Sequence, residues 1–361
     1  MFKTRGLARA LTLAALVASA TLLAGCSTSA KASPPGSGDS PSTSAAAGAG
    51  TGTPPVPGSE SAGKLCAGRK YTVAFSHPSS EALAVQVVEK YAAKRGADLG
   101  CVKVLIDATT NLNLETQRAA IESWILQGVD AIVVRPVDPN ALSSLQKRAQ
   151  AKNIKWLTYT NHMVGQNGSV GWSTDNAGRL MASDLSAWLK KNYPNGGISS
   201  AVVGVSAQPT LSGQWDFPTK SLAAAGIPVV LKADCWTQEC GLNLTNTALK
   251  EHPDLRVFIA GSTDDAGIGA AKAFKNAGID PSKVFIGGMD GSQQALAEIQ
   301  LGSYYKATAA IKLDLLGYSI VDAAIHAIKQ DGLSNMVTPN ELATLADPTA
   351  LQGLIDVYAK K

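Results

Sequence analysis

The sequence predicts an α/β protein with two doubly wound lobes of parallel sheet and a ligand cleft between them. Short, continuously apolar stretches alternate with segments long enough for one helix, and this rhythm begins twice, from Tyr71 and again after Asn176. Continuously apolar strands are typical of parallel sheets that helices cover on both faces. Since each crossover is long enough for one helix, neighbouring strands are expected to be parallel, with right-handed connections.

Each half of the chain supplies its own series of elements. The first half is predicted to contain strands at 71–75, 102–106, 131–134 and 155–159, with helices at 80–95, 115–127 and 139–152. The second half is predicted to contain strands at 201–205, 229–232, 256–260, 283–286 and 304–311, with helices at 176–192, 214–225, 241–251, 265–277 and 313–329. A short helix is expected after Pro348, and Gly96 and Gly128 are expected to end the helices before them.

Length and charge exclude some functions. The chain has 361 residues, which is about right for two hydrophobic cores, and its formal net charge is +4. Lys3, Arg5 and Arg9 lie in a predicted leader, so the mature chain carries about +1. A charge this close to zero gives no basic surface for nucleic acid.

Residues 1–25 are predicted to be an export signal, because a basic start precedes an apolar run from Leu11 to Ala24. The run ends in Leu-Ala-Gly-Cys at 23–26, which resembles a bacterial lipobox. The resemblance implies a lipid on Cys26 that anchors the protein to the outer face of the cytoplasmic membrane; a plain signal peptide is the alternative. Residues 26–63, rich in Ser, Gly, Ala and Pro, are predicted to be the lipidated Cys and a flexible tether.

Four further cysteines are expected to form disulfides in an oxidising compartment. Cys66 and Cys101 precede the first two predicted strands, and Cys235 and Cys240 are close enough to close a small loop. Four cysteines allow three pairings, so the pairing stays open. A zinc site is the rival interpretation, but none of the four His residues has ligand spacing with these cysteines, so no metal and no cofactor is expected.

The stretch from Lys283 to Leu296 provides the first candidate for a ligand contact. After the predicted strand, Gly287 and Gly288 are expected to let the chain turn sharply, which leaves Asp290 at the carboxyl edge of the sheet. Ligands bind at that edge in open parallel sheets, and a carboxylate can accept two hydrogen bonds from a polar ligand. The alternative is that Asp290 caps the helix that follows.

Four stretches share their order and spacing with a known family. They are Val73–Ser76, 127–142 (QGVDAIVVRPVDPNAL), 173–176 (STDN) and 286–291 (IGGMDG). Together they resemble the type I periplasmic-binding-protein family, in its ribose- and galactose-binding branch, over roughly 71–330. The resemblance implies a monomer whose lobes close on a small polar ligand, a sugar first of all, and which delivers that ligand to an ABC permease.

The resemblance also implies lobe boundaries and ligand contacts. The first lobe would contain 64–174 plus 312–340, and the second 175–311 plus 341–361. The implied contacts are Ser76, Ser80, Thr160, Asn161, Gln214, Thr263, Asp264 and Asp290. His77 and His162 adjoin these positions, and Trp215 and Trp236 are candidates either for stacking on a sugar or for loop packing. Arg135 ends a strand, where it reaches the cleft or forms a structural ion pair.

The sequence departs from the family at several of these positions. The loop after the first strand has Ser79 and Ser80 where the family usually has aromatic residues, and Thr160-Asn161 replaces a common Asp-Arg pair. The pocket is therefore expected to have lost cations and kept neutral hydrogen-bonding groups. These changes weaken the case for ribose or galactose as the ligand.

Rival functions are less well supported. The chain lacks the sequence motifs of a Gly-x-Ser-x-Gly hydrolase, a His-Glu-x-x-His metalloprotease, a Walker loop or a dinucleotide-binding first turn, so no enzyme is expected. A sugar-responsive repressor would need a DNA-binding helix pair where the export signal stands. A sensory module that presents its solute to a membrane receptor remains the alternative function.

Overall fold

The computed structural model describes residues 53–107 and 111–359. The predicted leader, Cys26 and most of the predicted tether lie outside the described residues. In chain order the strands are β1 (Tyr71–Ser76), β2 (Val102–Asp107), β3 (Ala131–Val134), β4 (Lys155–Tyr159), β5 (Gly168–Trp172), β6 (Ser199–Gly204), β7 (Val229–Asp234), β8 (Leu255–Ala260), β9 (Phe285–Asp290), β10 (Tyr305–Ile311), β11 (Asn335–Thr338) and β12 (Asn340–Thr344). The α-helices are α1 (Ala62–Cys66), α2 (Leu83–Leu99), α3 (Leu114–Gln127), α4 (Pro139–Ala151), α5 (Thr174–Asn192), α6 (Gly213–Ala224), α7 (Gln238–Glu251), α8 (Asp264–Asn276), α9 (Gln293–Gln300), α10 (Leu313–Lys329) and α11 (Pro348–Ala359).

Two six-stranded sheets confirm the predicted fold class of two α/β lobes. The first lobe is built on the order β2-β1-β3-β4-β5-β11 and the second on the order β7-β6-β8-β9-β10-β12. The strand pairs are parallel except that β12 is antiparallel to β10. Strand β12 was not predicted from the sequence, and Pro339 alone separates it from β11. The chain therefore enters the second lobe beside the carboxyl end of β10, and β12 runs back along β10 in the opposite direction.

Each sheet has an apolar core on both faces, as continuously apolar strands require. In the first lobe, Phe75 and Ile320 belong to the core on one face, and Trp156 belongs to the core on the other. In the second lobe, Phe258 and Phe285 occupy the two corresponding cores. Burying a large apolar side chain contributes about 1.5–3 kcal/mol, so these four cores hold the strands in their layers.

The chain passes between the two sheets at three places. These places lie between β5 and α5, between β10 and α10, and between β11 and β12. The first two connections are single residues, Ser173 and Lys312. All three connections follow the carboxyl ends of parallel strands. The carboxyl edge of each sheet therefore lies next to the connections.

Helix α2 differs from its prediction at both ends. It begins at Leu83 instead of Ser80, and Gly96 lies inside it instead of ending it. The helix ends at Gly100, which has a positive φ of 66°. A Cβ on Gly96 would lie 2.7 Å from the Val104 side chain, so this glycine allows α2 to pack closely on β2. The elements α1, β5, β11 and β12 were not predicted.

The carboxyl end of the predicted tether is attached to the first lobe. The backbone N–H of Gly58 donates to Oδ2 of Asp322 at 2.8 Å, and Arg95 donates to the Glu60 carbonyl at 2.8 Å. Arg95 also donates through Nε to Oδ1 of Asp322 at 2.8 Å, and both side chains are buried. The predicted tether, 26–63, therefore extends too far, since the chain is held from Gly58 onward.

A second set of contacts joins this segment to the carboxyl end of α10. The buried imidazole of His326 lies with Nε2 2.7 Å from Oε2 of Glu60 and with Nδ1 2.8 Å from Oδ2 of Asp331. Lys64 of α1 forms a further ion pair with Glu60 at 2.8 Å. The amino-terminal segment is thus held to α10 by charged side chains.

Two disulfides join the four cysteines of the described residues. Cys66 pairs with Cys101, with their Cα atoms 6.5 Å apart, and Cys235 pairs with Cys240, with Cα atoms 5.8 Å apart. Among the residues that the structure describes, no helix is both long and apolar enough to cross a membrane. Within the same ranges, no group of three or more His, Cys, Asp or Glu side chains is arranged to hold a metal ion.

Candidate functional site: the cleft between the lobes

The carboxyl ends of the central strands in both lobes meet at a cleft. Arg135, directly after β3, and Tyr159, at the end of β4, belong to the first lobe, and Asp290 ends β9 in the second. The charge of Arg135 acts to lower the pKa of Asp290, and the charge of Asp290 acts to raise the pKa of Tyr159. Electrostatic effects of this kind need proximity, so these side chains of the two lobes lie close to one another.

Polar side chains behind the first-lobe surface fix its geometry. Ser76 is fully buried; its hydroxyl donates to Oδ2 of Asp107 at 2.9 Å and accepts a bond from Nε2 of Gln117 at 3.0 Å. The same Gln117 nitrogen donates to the Arg135 carbonyl at 3.0 Å, and its Oε1 accepts from the N–H of Val137 at 2.8 Å. Ser76, a predicted contact, therefore joins the end of β1 to β2 through Asp107 and to α3 through Gln117.

His77 supplies a hydrogen-bond donor next to Arg135. Burial, and to a lesser extent the charge of Arg135, lower the pKa of His77 to about 3, so the ring is neutral. Its Nδ1 accepts from the N–H of Ser79 at 3.0 Å, and a neutral ring must then carry its hydrogen on Nε2. Nε2 lies 3.4 Å from Nη1 of Arg135, and the ring meets Tyr159 edge-on. The Nε2–H group of His77 and the guanidinium of Arg135 are therefore two hydrogen-bond donors that lie next to each other.

Arg135 has no carboxylate within ion-pair distance among the described residues. The structural ion pair considered from the sequence is thus not formed with any described residue. A guanidinium without an internal carboxylate partner keeps donors for a ligand oxygen.

Thr160 and Asn161 lie exposed after β4, as their sequence positions predict. Thr160 has a φ of 62°, which is rare for a β-branched residue, and its N–H donates to the Val170 carbonyl at 2.8 Å. Strain of this kind persists only where the surroundings enforce it, and it is concentrated at functional sites. Ser80, by contrast, is buried.

Asp290 is the last residue of β9 and has a φ of 89°. The helix-cap interpretation is wrong, because α9 begins at Gln293 and Ser292 caps it by accepting from the N–H of Ala295. Gly287 and Gly288 were predicted to form the turn, but both lie within β9. Their role is close packing: a Cβ on Gly288 would collide with the hydroxyl of Tyr305. The turn itself consists of residues 290–292, called the Asp290 turn below.

Asp264 lies buried beneath this turn. Its carboxylate accepts from the hydroxyls of Tyr305 and Thr308, both at 2.8 Å, and from the N–H of Ser292 at 2.6 Å. Burial raises the pKa of Asp264 to about 6, and these three bonds oppose that shift. Asp264, a predicted contact, thus supports the turn that carries Asp290.

Asp290 itself is enclosed by protein atoms but keeps part of its surface exposed to the cleft. Burial, followed by the charge of Asp264, raises its pKa to about 8, and the opposing effect of Arg135 does not cancel the shift. No described donor satisfies the Asp290 side chain, so its oxygens are available for a ligand.

The remaining predicted contacts of the second lobe lie on neighbouring loops. Gln214 is buried, and its Oε1 has no hydrogen-bond partner among the described residues. The Trp215 ring packs over the end of β6, where a Cβ on Gly204 would lie 2.7 Å from it. Thr263 donates its hydroxyl to the Trp236 carbonyl at 3.2 Å, and the Trp236 side chain is 54% exposed.

The structure thus brings His77, Arg135 and Asp290 together, with Ser76 and Asp264 as supports behind them. Sequence reasoning missed five residues that hydrogen-bond to the site or pack against it: Gln117, Tyr159, Tyr305, Thr308 and Tyr358. One signal was available, since Thr308 is a hydroxyl in an otherwise apolar strand interior. A surface depression beside the Cys66–Cys101 disulfide lies at the amino ends of β1 and β2, the opposite edge from the cleft.

These features define a two-lobed binding protein with polar groups facing each other across a cleft. A family model described as "Periplasmic binding protein domain" matches residues 73–332. The ribose import binding protein of Bacillus subtilis is 27% identical over 240 residues, which is 66% of this chain and 73% of that protein. The D-xylose-binding periplasmic protein of Escherichia coli is 28% identical over 273 residues, which is 74% of this chain and 77% of that protein.

A solved structure supports the same fold. A crystal structure described as a periplasmic ribose ABC transporter from Conexibacter woesei aligns with a TM-score of 0.66 at 21% identity, over 82% of this chain and 97% of that chain. The chain belongs to the periplasmic-binding-protein family, and the resemblance inferred from the sequence is confirmed.

Proposed function

We propose that this protein binds a small, uncharged polyhydroxyl ligand, a sugar or a sugar alcohol, in the cleft and presents it to an ABC importer. One observation carries the proposal: Arg135, beside His77 in the first lobe, lies close enough to Asp290 of the second lobe for the two charges to interact. A hydroxyl both donates and accepts, so a ligand with several hydroxyls can bind both sides at once.

The residues divide into contacts and supports. Asp290 accepts from ligand hydroxyls, and His77 and Arg135 donate to ligand oxygens. Thr160 and Asn161 border the same opening and supply neutral hydrogen-bonding groups. We assign the remaining predicted residues supporting or flanking roles: Ser76, Ser80, Gln214, Trp215, Trp236, Thr263 and Asp264.

The names of the relatives support the ligand class. Those relatives are described as binding ribose and D-xylose, which are neutral and carry several hydroxyls. A protein described as a xylitol-binding protein from Mycolicibacterium smegmatis is 27% identical over 212 residues.

The same proposal includes closure of the lobes and release of the ligand unchanged. Ligand docks on one lobe, and contacts from the other lobe then favour the closed form. The three connections between the sheets, near 173, 312 and 339, act as the hinge, and the lobes divide at these connections, with the first lobe beginning at Gly58. The protein acts as a monomer and performs no chemistry on its ligand.

Anchoring outside the cytoplasmic membrane completes the proposal. Cys26 follows an export signal and small residues, and it precedes a stretch rich in Ser, Gly and Pro. Lipidation of Cys26 would hold the protein at the membrane surface, where an importer can be reached. The two disulfides are consistent with an oxidising compartment.

A thermal-shift screen tests the function. The folded body, expressed from Ala46 onward, is heated with D-ribose, D-xylose, D-allose, xylitol, myo-inositol and, as a charged control, D-glucuronate. A true ligand at one hundred times its Kd should stabilise the protein by about 2.7 kcal/mol. Stabilisation by none of the neutral compounds, or recovery of a chemically altered ligand, would refute the proposal.

A further inference from the structure

Three hydrogen bonds hold the Asp290 turn, and one of them comes from the carboxyl-terminal helix. The N–H of Gly291 donates to Oγ1 of Thr308 at 3.1 Å, and the N–H of Ser292 donates to Asp264 at 2.6 Å. Both partners belong to the sheet and helices of the second lobe. The third bond runs from the hydroxyl of Tyr358 in α11 to the Gly291 carbonyl at 2.9 Å.

Helix α11 contacts both lobes. Its main contacts are with β12 and α9 of the second lobe, and it also touches α2 of the first. Val357 packs against the core of the first lobe, and the Tyr358 ring packs against the cores of both lobes. Asp356 lies close enough to Tyr91 of α2 to help raise the pKa of its phenol.

Tyr358 therefore stands where the two lobes and the Asp290 turn meet. Burial, followed by the charges of Asp264 and Asp290, raises the pKa of the Tyr358 phenol, so its hydroxyl stays a donor at neutral pH. Its bond to Gly291 constrains the residue that follows Asp290 in the chain.

We propose that Tyr358 is a positioning residue that couples the placement of the Asp290 carboxyl group to the arrangement of the two lobes. A non-glycine residue at a φ of 89° costs on the order of 1–3 kcal/mol and persists only when its surroundings enforce it. Tyr358 donates one of the three hydrogen bonds that hold the Asp290 turn. Of the side chains that form these bonds, it is the one that also contacts the first lobe. A shift of the first lobe against α11 thereby reaches the ligand-binding carboxyl group. The ligand part of this inference rests on the proposed function.

The first experiment needs no ligand. Amide hydrogen exchange is measured by NMR on the full-length chain, on Tyr358→Phe and on Tyr304→Phe. The Tyr304 hydroxyl donates to the Ile279 carbonyl at 2.6 Å, so the control loses the same kind of bond elsewhere in the second lobe. In Tyr358→Phe we expect the amides of Gly291 and Ser292 to exchange roughly three to ten times faster. Unchanged exchange there, or an equal change in Tyr304→Phe, would overturn the proposal.

The second experiment is a double-mutant cycle with D-ribose as the probe, followed by calorimetry. Tyr358→Phe should raise the Kd for D-ribose roughly three- to tenfold in the otherwise unchanged chain. It should leave the Kd unchanged when combined with Asp290→Asn, because the residue it positions has lost its charge. Additive effects of the two substitutions on the Kd would show that Tyr358 affects binding independently of the Asp290 charge and would overturn the proposal.

The two experiments separate this inference from the proposed function. If the unchanged chain does not bind D-ribose, the thermal-shift screen decides the proposed function, and the exchange rates of the Asp290 turn alone decide the role of Tyr358. If D-ribose binds and the exchange rates do not change, the proposed function stands and the role of Tyr358 is refuted.

Discussion

The substitution Asp290→Asn should weaken ligand binding and also remove its dependence on pH. The asparagine side chain has nearly the same shape as aspartate but cannot carry a charge. A hydrogen bond to a charged group contributes roughly 1.5–3 kcal/mol, so above pH 8, where Asp290 is ionised, the Kd should rise by about one to two orders of magnitude.

The pH dependence follows from the pKa of Asp290, which is about 8 in the empty cleft. A ligand hydroxyl that donates to Asp290 favours the ionised carboxylate, so binding releases a proton below that pH. Affinity should therefore increase with pH between about 6.5 and 8, by at most about tenfold per pH unit, and level off above 8. In Asp290→Asn the affinity should be flat over this range.

Stability without ligand should change in the opposite direction. The folded pKa of Asp290 lies above its ordinary value of 3.8, so the group contributes stability fully below that value and loses it as pH rises through about 8. The loss amounts to at most about 1.4 kcal/mol per pH unit. Glu89, with a pKa of about 7, also titrates between pH 6.5 and 8.5, so the difference between the unchanged chain and Asp290→Asn isolates the effect of Asp290.

Isothermal titration calorimetry measures the Kd, and urea denaturation measures the free energy of unfolding. Asp234→Asn is the matched control: Asp234 ends β7 in the same lobe, is exposed, and accepts from the N–H and hydroxyl of Ser206 at 2.8 and 2.6 Å. This control substitution should leave the pH dependence of the Kd and that of the free energy of unfolding unchanged. An unaltered Kd in Asp290→Asn, or a pH slope equal to that of the unchanged chain, would refute the assignment.

Three further substitutions and one control test the framework of the site and lobe. Gly288→Ala places a methyl group against the hydroxyl of Tyr305 and should destabilise the fold by about 1–3 kcal/mol in urea. Gly353→Ala, at an open helix position, should be neutral or stabilising by up to about 1 kcal/mol, and equal effects at both sites would contradict the packing argument. Thr308→Val removes both hydrogen bonds of a buried hydroxyl and should lower the free energy of unfolding by about 1–3 kcal/mol. A decrease of less than about 0.5 kcal/mol would mean that these hydrogen bonds are dispensable. Arg95→Met leaves a buried carboxylate unpaired and should cost about 3–5 kcal/mol by thermal denaturation, whereas an unchanged melting temperature would contradict this.

Local sequence patterns located the central strands and several helices well. The strands at 131–134 and 155–159 and the helix at 313–329 agree with the structure at both ends. Each is a strongly apolar or strongly periodic segment, so its pattern depends little on distant residues. Strand β5, in contrast, contains two glycines and was missed, and β11 and β12 are short strands whose partners lie far along the chain.

The same distinction applies to the site. Asp290 was found because its position after a glycine-containing strand is visible in a short stretch of sequence. Thr308 and Tyr358 contact the Asp290 turn from 17 and 67 residues away, and no spacing rule connects them to it. Gly96 was misassigned for a similar reason, since a close approach to β2 required a glycine where the sequence pattern indicated a helix end.

The attachment of the amino-terminal segment to α10 has a mechanical consequence. In a single-molecule pulling experiment, load applied through the amino terminus would enter the molecule at the contacts of Gly58 and Glu60 with Asp322 and His326. The first lobe would bear this force before the second does. Rupture of these non-covalent contacts should appear as a small extension that precedes unfolding of either sheet.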